Sequence, residues 1–182
     1  MVDQYKVVVV ICEDEETQQQ LISLMSGCGE MEGSCVLDGI SINEDRKIYK
    51  KNVDFINTEA IDSELTVKDY LIFYTMVSAN YHKDILEEVT KLFYEIHKED
   101  IMDKKINELS EQNRIIVRCV AAHLKNVKLL LGKNLLEIKT EEEKKELLEF
   151  LQKYFVENSC YCILFEEHKK CADHMVNDVI QI

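Results

Sequence analysis

Residues 7–11 read Val-Val-Val-Val-Ile, five β-branched side chains in succession. Such a run has no polar face. A half-exposed strand alternates apolar and polar residues, whereas a strand covered on both sides of a parallel sheet does not. Two later runs repeat the signal, Val127 to Leu131 and Cys160 to Phe165, and shorter strand candidates stand at Val53 to Ile56 and Val179 to Ile182. Ser34 to Ile42 reads as a hairpin turning at Asp38-Gly39. Helical periodicity fills the intervals. A stretch over 17–25 carries Leu21, Ile22, Leu24 and Met25, with Gln18 to Gln20 polar and Gly27 and Gly29 as its stop. Thr66 caps a helix with Val67, Tyr70, Leu71, Phe73, Tyr74 and Val77 at helical spacing, and the aromatic members read as packing. A second helix spans Asp84 to His97 with Ile85, Val89, Leu92, Phe93 and Ile96 on one face, and a third follows Ser110. Thr140 caps a charged helix to Phe155 with Leu147, Leu148 and Leu151 inward, and a short helix is expected from Lys169 to His174. Strands separated by helices predict an α/β fold with a mostly parallel sheet, as one domain over 1–182.

Composition narrows the function. The sequence has no proline, where ~5% usage would give about nine, and five glycines, so long helices and short connections are expected. A hydrophobic fraction of 46% is too high for a disordered chain. A net charge of -13 excludes nucleic acid as partner, because no excess of cations can replace phosphate counterions. No stretch reaches the ~18 apolar residues of a membrane span, and the opening residues lack the basic start of a signal peptide, so no membrane insertion is expected. Seven cysteines, an odd number at irregular spacing, point to reduced thiols in the cytosol.

The order of elements, with "GSCVLDGISI", "ELTVKDYLIFY", "DKKINELSEQN", "AAHLKNVKLLL" and "CILFEEH", resembles the nucleotide-binding domain of ABC transporters. The nearest flavour is the ATPase subunits of bacterial drug, bacteriocin and lantibiotic exporters. The resemblance runs from about Tyr5 to Ile182 and implies a P-loop NTPase-like sheet flanked by helices, with an ABC-type helical subdomain over 64–112. The family's adenine-stacking aromatic precedes the P-loop strand and has no counterpart in this stretch.

Measured against that family, the chemical residues differ. A P-loop needs glycines whose N–H groups wrap the phosphates, a Lys for the β/γ-phosphates and a Ser or Thr on magnesium. The matching place reads Cys12-Glu13-Asp14-Glu15-Glu16-Thr17-Gln18-Gln19-Gln20, without glycine and with no Lys or Arg between Lys6 and Arg46. Carboxylates ~4 Å apart repel by about 1 kcal/mol in water and ~4 at an effective dielectric of 20, so the run disfavours a triphosphate. By the resemblance, Gln18 holds the P-loop Lys position and Gln19 that of a hydroxyl residue. Asn57 falls near the glutamine loop. The signature reads Leu109-Ser110-Glu111-Gln112-Asn113, with Glu111 and Gln112 in the place of glycines. Gly132 and Lys133 stand at the Walker B aspartate and catalytic glutamate, Lys139 at the D-loop aspartate, and His168 at the switch histidine. These departures predict a pseudo-ATPase with no catalytic residue and no bound cofactor.

Plainer readings stand beside these. Glu13 to Glu16 fit a solvated helix start, where carboxylates complement the dipole, but also contact with a basic partner or a divalent cation. Cys160, Cys162, His168, Cys171 and His174 carry zinc-type donors, yet match no standard spacing, and the strand cysteines suit a buried apolar role. The resemblance implies an accessory or regulatory subunit of an ABC-type transporter, cytoplasmic and peripheral at the inner face of the membrane, working with a permease, a competent ABC ATPase, or both. The alternatives are a divergent but nucleotide-binding ATPase subunit, and a free-standing protein- or peptide-binding module.

Overall fold

The computed structural model describes residues 6–28, 33–59, 61, 63–78, 80–137, 140–171 and 179–182, with the side chain of residue 171 excepted. Gly29, Lys139 and His174, and the side chain of Cys171, therefore lie outside the described residues. The chain divides into two compact units, one made of Met1–Asn57 with Asn126–Ile182, the other of Thr58–Lys125.

In the first unit the apolar run Val7–Ile11 forms β1, buried at all five positions. It lies inside a five-stranded sheet of order β4-β5-β6-β1-β7, where β4 is Val53–Asn57, β5 Leu129–Lys133, β6 Tyr161–Glu166 and β7 Val179–Gln181. Every pairing is parallel. β5 starts two residues later than the apolar run suggests, where the β4 register opens with Val53 opposite Leu129. Cys160 and Cys162 are both buried, the first just ahead of β6.

Helix α1 spans Glu15–Ser26 and stops at Gly27, whose φ of 73° is left-handed. An added Cβ there would lie 2.9 Å from Lys50 Cγ, so both conformation and space favour glycine. The hairpin forms as β2, Val36–Leu37, and β3, Ile40–Ser41. Its turn residues Asp38 and Gly39 both have positive φ, 49° and 81°, as a two-residue hairpin turn requires. Helix α2, Arg46–Lys51, has no sequence signal beyond its Asp45 cap. It buries Tyr49, whose hydroxyl donates to Met25 O at 2.8 Å. Tyr49 joins Val8, Val10, Ile22, Leu129, Leu131 and Phe165 in one apolar core. After β5 comes the long charged helix, numbered below in chain order as α6, Glu141–Tyr154. It opens with a capping box between Thr140 and Glu143. Its inward face is Leu147, Phe150, Leu151 and Tyr154, while Leu148, expected inward, is half-buried.

The second unit is helical. Helix α3, Val67–Val77, is capped by Thr66, which accepts from Asp69 N–H. Its buried face is Val67, Leu71 and Thr75, at i, i+4 and i+8. Phe73 and Val77, expected to pack, are 57% and 71% exposed because they fall on the opposite side of the helix. Helix α4, Ile85–Glu95, buries Ile85, Val89, Leu92 and Phe93. The left-handed His97, φ 55°, follows its end. Helix α5, Glu111–Leu124, packs against α3 and buries most of its length from Ile115 onward.

Candidate functional site

The carboxyl ends of β1, β5 and β6 lie side by side, the place where open α/β sheets carry their ligands. Only residues 12–14 connect β1 to α1. This turn contains no glycine. Asp14 is the N-cap, with its Oδ2 accepting from Thr17 N–H at 2.7 Å, while its carbonyl accepts from Gln18 N–H at 3.0 Å. The Thr17 side chain, and then its backbone N–H, hold the Asp14 carboxyl below the usual carboxylate range. Glu15 and Glu16 occupy the first helical turn and complement the dipole. Two of the first amides of α1 thus have acceptors from the protein, and a negative charge of the chain's own sits where a helix start could attract an external anion.

Gln18, matched to the P-loop Lys, is helical and fully buried. Neither its amide nitrogen nor its amide oxygen has a partner among the described residues. That corrects the expectation of a polar face over Gln18 to Gln20: Gln19 and Gln20 are exposed, but Gln18 faces inward. Gly132 is buried in β5, and a Cβ built on it would lie 2.6 Å from Leu135 Cδ1 and 2.7 Å from Leu164 Cδ2. Lys133 follows, with Nζ 3.2 Å from Glu15 Oε1. This ion pair ties the end of β5 to the acidic start of α1. Asn57 ends β4 and is in register with Lys133. Glu13 is exposed, and so is His168 beyond the end of β6. Ser110, Glu111 and Gln112 belong to the second unit. There the Ser110 hydroxyl oxygen is the N-cap of α5, accepting from Asn113 N–H at 3.3 Å, and Glu111 and Gln112 are helical.

Nothing in the sequence marks Glu166, which ends an apolar strand. The structure buries it completely. Its Oε1 accepts from Leu136 N–H at 3.1 Å and its Oε2 has no partner among the described residues. Burial pushes its carboxyl up to about 8; the Leu136 N–H opposes this, the Glu137 charge adds to it, and the Leu135 N–H and Lys144 oppose it. The folded chain holds this proton up to about pH 8, whereas the unfolded chain releases it near 4.5. Between those values folding takes up a proton, so stability falls as pH rises and levels off above about 8. Glu166→Gln keeps the acceptor for Leu136 and needs no proton. It is expected to raise stability at pH 8 by about 2 kcal/mol and to flatten that slope. Denaturant unfolding between pH 5 and 9 with chelator present checks both.

No protein-family model and no curated protein matches the sequence. Solved structures do. The ABC transporter subunit cbiO1 of Clostridium perfringens, part of the cbiONQ complex, superposes with a TM-score of 0.79 at 14% identity, covering 97% of this chain and 72% of that one. An ABC transporter ATP-binding protein of Pyrococcus furiosus gives 0.75 at 17% identity over 97% and 84% of the two chains. A nucleotide-free ATP-binding cassette gives 0.74 at 14% identity over 98% and 76%. The chain therefore has the fold of ABC transporter ATP-binding subunits, with its mostly parallel P-loop-type sheet flanked by helices. No helix among the described residues is long and apolar enough to cross a membrane.

Proposed function

We propose that the protein is a catalytically inactive member of an ABC-type transport assembly, an accessory or regulatory subunit that keeps the fold without the nucleotide chemistry. The observation that carries this reading is the Lys133–Glu15 ion pair together with the Asp14 cap. The one cation that sequence matching places at the catalytic end of β5 is engaged by a carboxylate of the chain itself. The turn that should cradle phosphate presents carboxylates instead. In the head-to-tail pairing that the resemblance implies, a partner's P-loop would meet Ser110, Glu111 and Gln112, a signature without its glycines. A competent composite site is thus disfavoured from both sides, and the contribution falls to architecture or regulation. A cytoplasmic position at the inner membrane face follows from this reading, as do a permease and a competent ABC ATPase as partners. The exposed Phe73, Met76 and Val77 on α3 supply apolar surface for such contacts.

Affinity capture of the full chain from detergent-solubilised native membranes tests the assignment. Recovery of an ABC permease or an intact ABC ATPase in stoichiometric amount is expected. Recovery of an unrelated soluble protein alone would replace the transporter reading with that of a free-standing binding module.

A further inference from the structure

Glu137, Glu167 and His168 are 30 residues or more apart in sequence across the first gap, yet parallel pairing of β5 with β6 brings them together beyond the strand ends. One ligand-type atom from each lies within 4.8 Å of the others. Both carboxylates are held from behind. Glu137 Oε1 accepts from Glu167 N–H at 3.0 Å, and Glu167 Oε1 accepts from Asn134 Nδ2 at 3.1 Å. Each group is thereby oriented through one oxygen, as outer partners orient metal ligands.

An independent observation points into the same turn. The fully buried Glu166 enters it from β6, with Oε1 on Leu136 N–H, next to Glu137, and Oε2 without a partner among the described residues. The Asn134 side-chain oxygen is also buried and unpartnered there. Buried oxygens are rarely left so, and two on residues that flank this carboxylate–imidazole group, Glu166 before Glu167 in the chain and Asn134 bonded to it, are what bound water or a cation would satisfy.

We infer that Glu137, Glu167 and His168 form a site for a divalent transition metal of the zinc class, independent of nucleotide. The donor set, two carboxylate oxygens and an imidazole nitrogen, suits zinc and its neighbours better than calcium, which takes oxygen ligands in larger number. Tetrahedral bonds of 2.0–2.1 Å require ligand atoms about 3.3 Å apart, a contraction within reach of side-chain rotation at half-buried and exposed positions. Three protein ligands leave a fourth position for water. The metal would fasten the turn after β5 to the end of β6. The site does not depend on the transporter assignment, since it uses no residue of a partner and no phosphate.

The test is titration of the full, metal-free chain with Co²⁺, followed by absorption and calorimetry without nucleotide. Exposed Cys28 could bind the probe, so a Cys28→Ser background is used. Saturation at one ion per chain is expected, with ligand-field bands but no thiolate-to-cobalt charge-transfer band, and with displacement by Zn²⁺. His168→Ala and Glu137→Gln, both away from the core, should each weaken binding at least tenfold. Absence of saturation, a thiolate band in the Cys28→Ser background, or affinity unchanged in both variants would overturn the site.

Discussion

Gly132→Asp is expected to lower the unfolding free energy by about 4 kcal/mol or more. The substitution would restore the Walker B aspartate that the resemblance calls for, and on chemical grounds alone it should be favourable for nucleotide. Packing decides otherwise. The added Cβ would lie 2.6 Å from Leu135 Cδ1 and 2.7 Å from Leu164 Cδ2, and both leucines are fully buried. Displacing two core side chains costs about 1–3 kcal/mol, and a carboxylate placed among them without a donor adds several more. Gly132→Ala isolates the first term and should cost about 2 kcal/mol. For a chain of this length about 4 kcal/mol corresponds to a fall in Tm of roughly 10 °C. Urea unfolding of the two variants separates the contributions. Combined with Lys133→Glu, the aspartate should still yield no ATPase activity, because Asp14, Glu15 and Glu16 remain at the start of α1.

Gln18→Lys carries the second large effect. It restores the P-loop lysine by sequence matching, but the side chain at this position is fully enclosed and its amide reaches no hydrogen-bond partner among the described residues. An ammonium there would lose its hydration in a place where the present amide finds no hydrogen-bond partner among the described residues. A loss of about 3 kcal/mol or more is expected, eased only if the lysine gives up its proton. Gln18→Met should move stability the other way, by up to about 1 kcal/mol, because it removes an orphaned amide while keeping the volume. Thermal and urea unfolding of the pair therefore have opposite signs. A stable Gln18→Lys variant with new affinity for ATP would show that the position opens onto a phosphate site after all.

Both effects turn on burial, which depends on contacts far apart in the chain. Local signals were legible. The β-branched run of β1 admitted only a strand covered on both faces, Asp38-Gly39 marked the hairpin turn, and Thr140 before the charged run marked a helix start. Each depends on residues within four positions of one another. Helix α2 was not legible, because its six residues bury only Tyr49 and show no periodicity. Gln18 stood in a row of three glutamines whose neighbours are exposed, so its inward orientation depends on the phase of α1 against the sheet. Glu166 lies one residue past the apolar run that ends at Phe165, and nothing in that run marks it as buried. The Glu137, Glu167 and His168 group exists only through the β5–β6 register. On α3, aromatic residues suggested a packing face, but the helix turns Phe73 outward and buries Thr75 instead. The places matched to the family's motifs could be named from sequence. Their structural uses were legible only in part: Glu13 to Glu16 and Ser110 stood at helix starts, but Lys133 as a clamp on Glu15 depends on a contact 118 residues apart.

Titration of the full chain with ATP by calorimetry, with and without magnesium, tests the proposed loss of nucleotide chemistry most directly. The geometry of the β1–α1 turn leads to no saturable heat up to millimolar nucleotide in either condition. Saturable binding in the micromolar range, strengthened by magnesium, would contradict it and make the protein a divergent but working ATP-binding subunit.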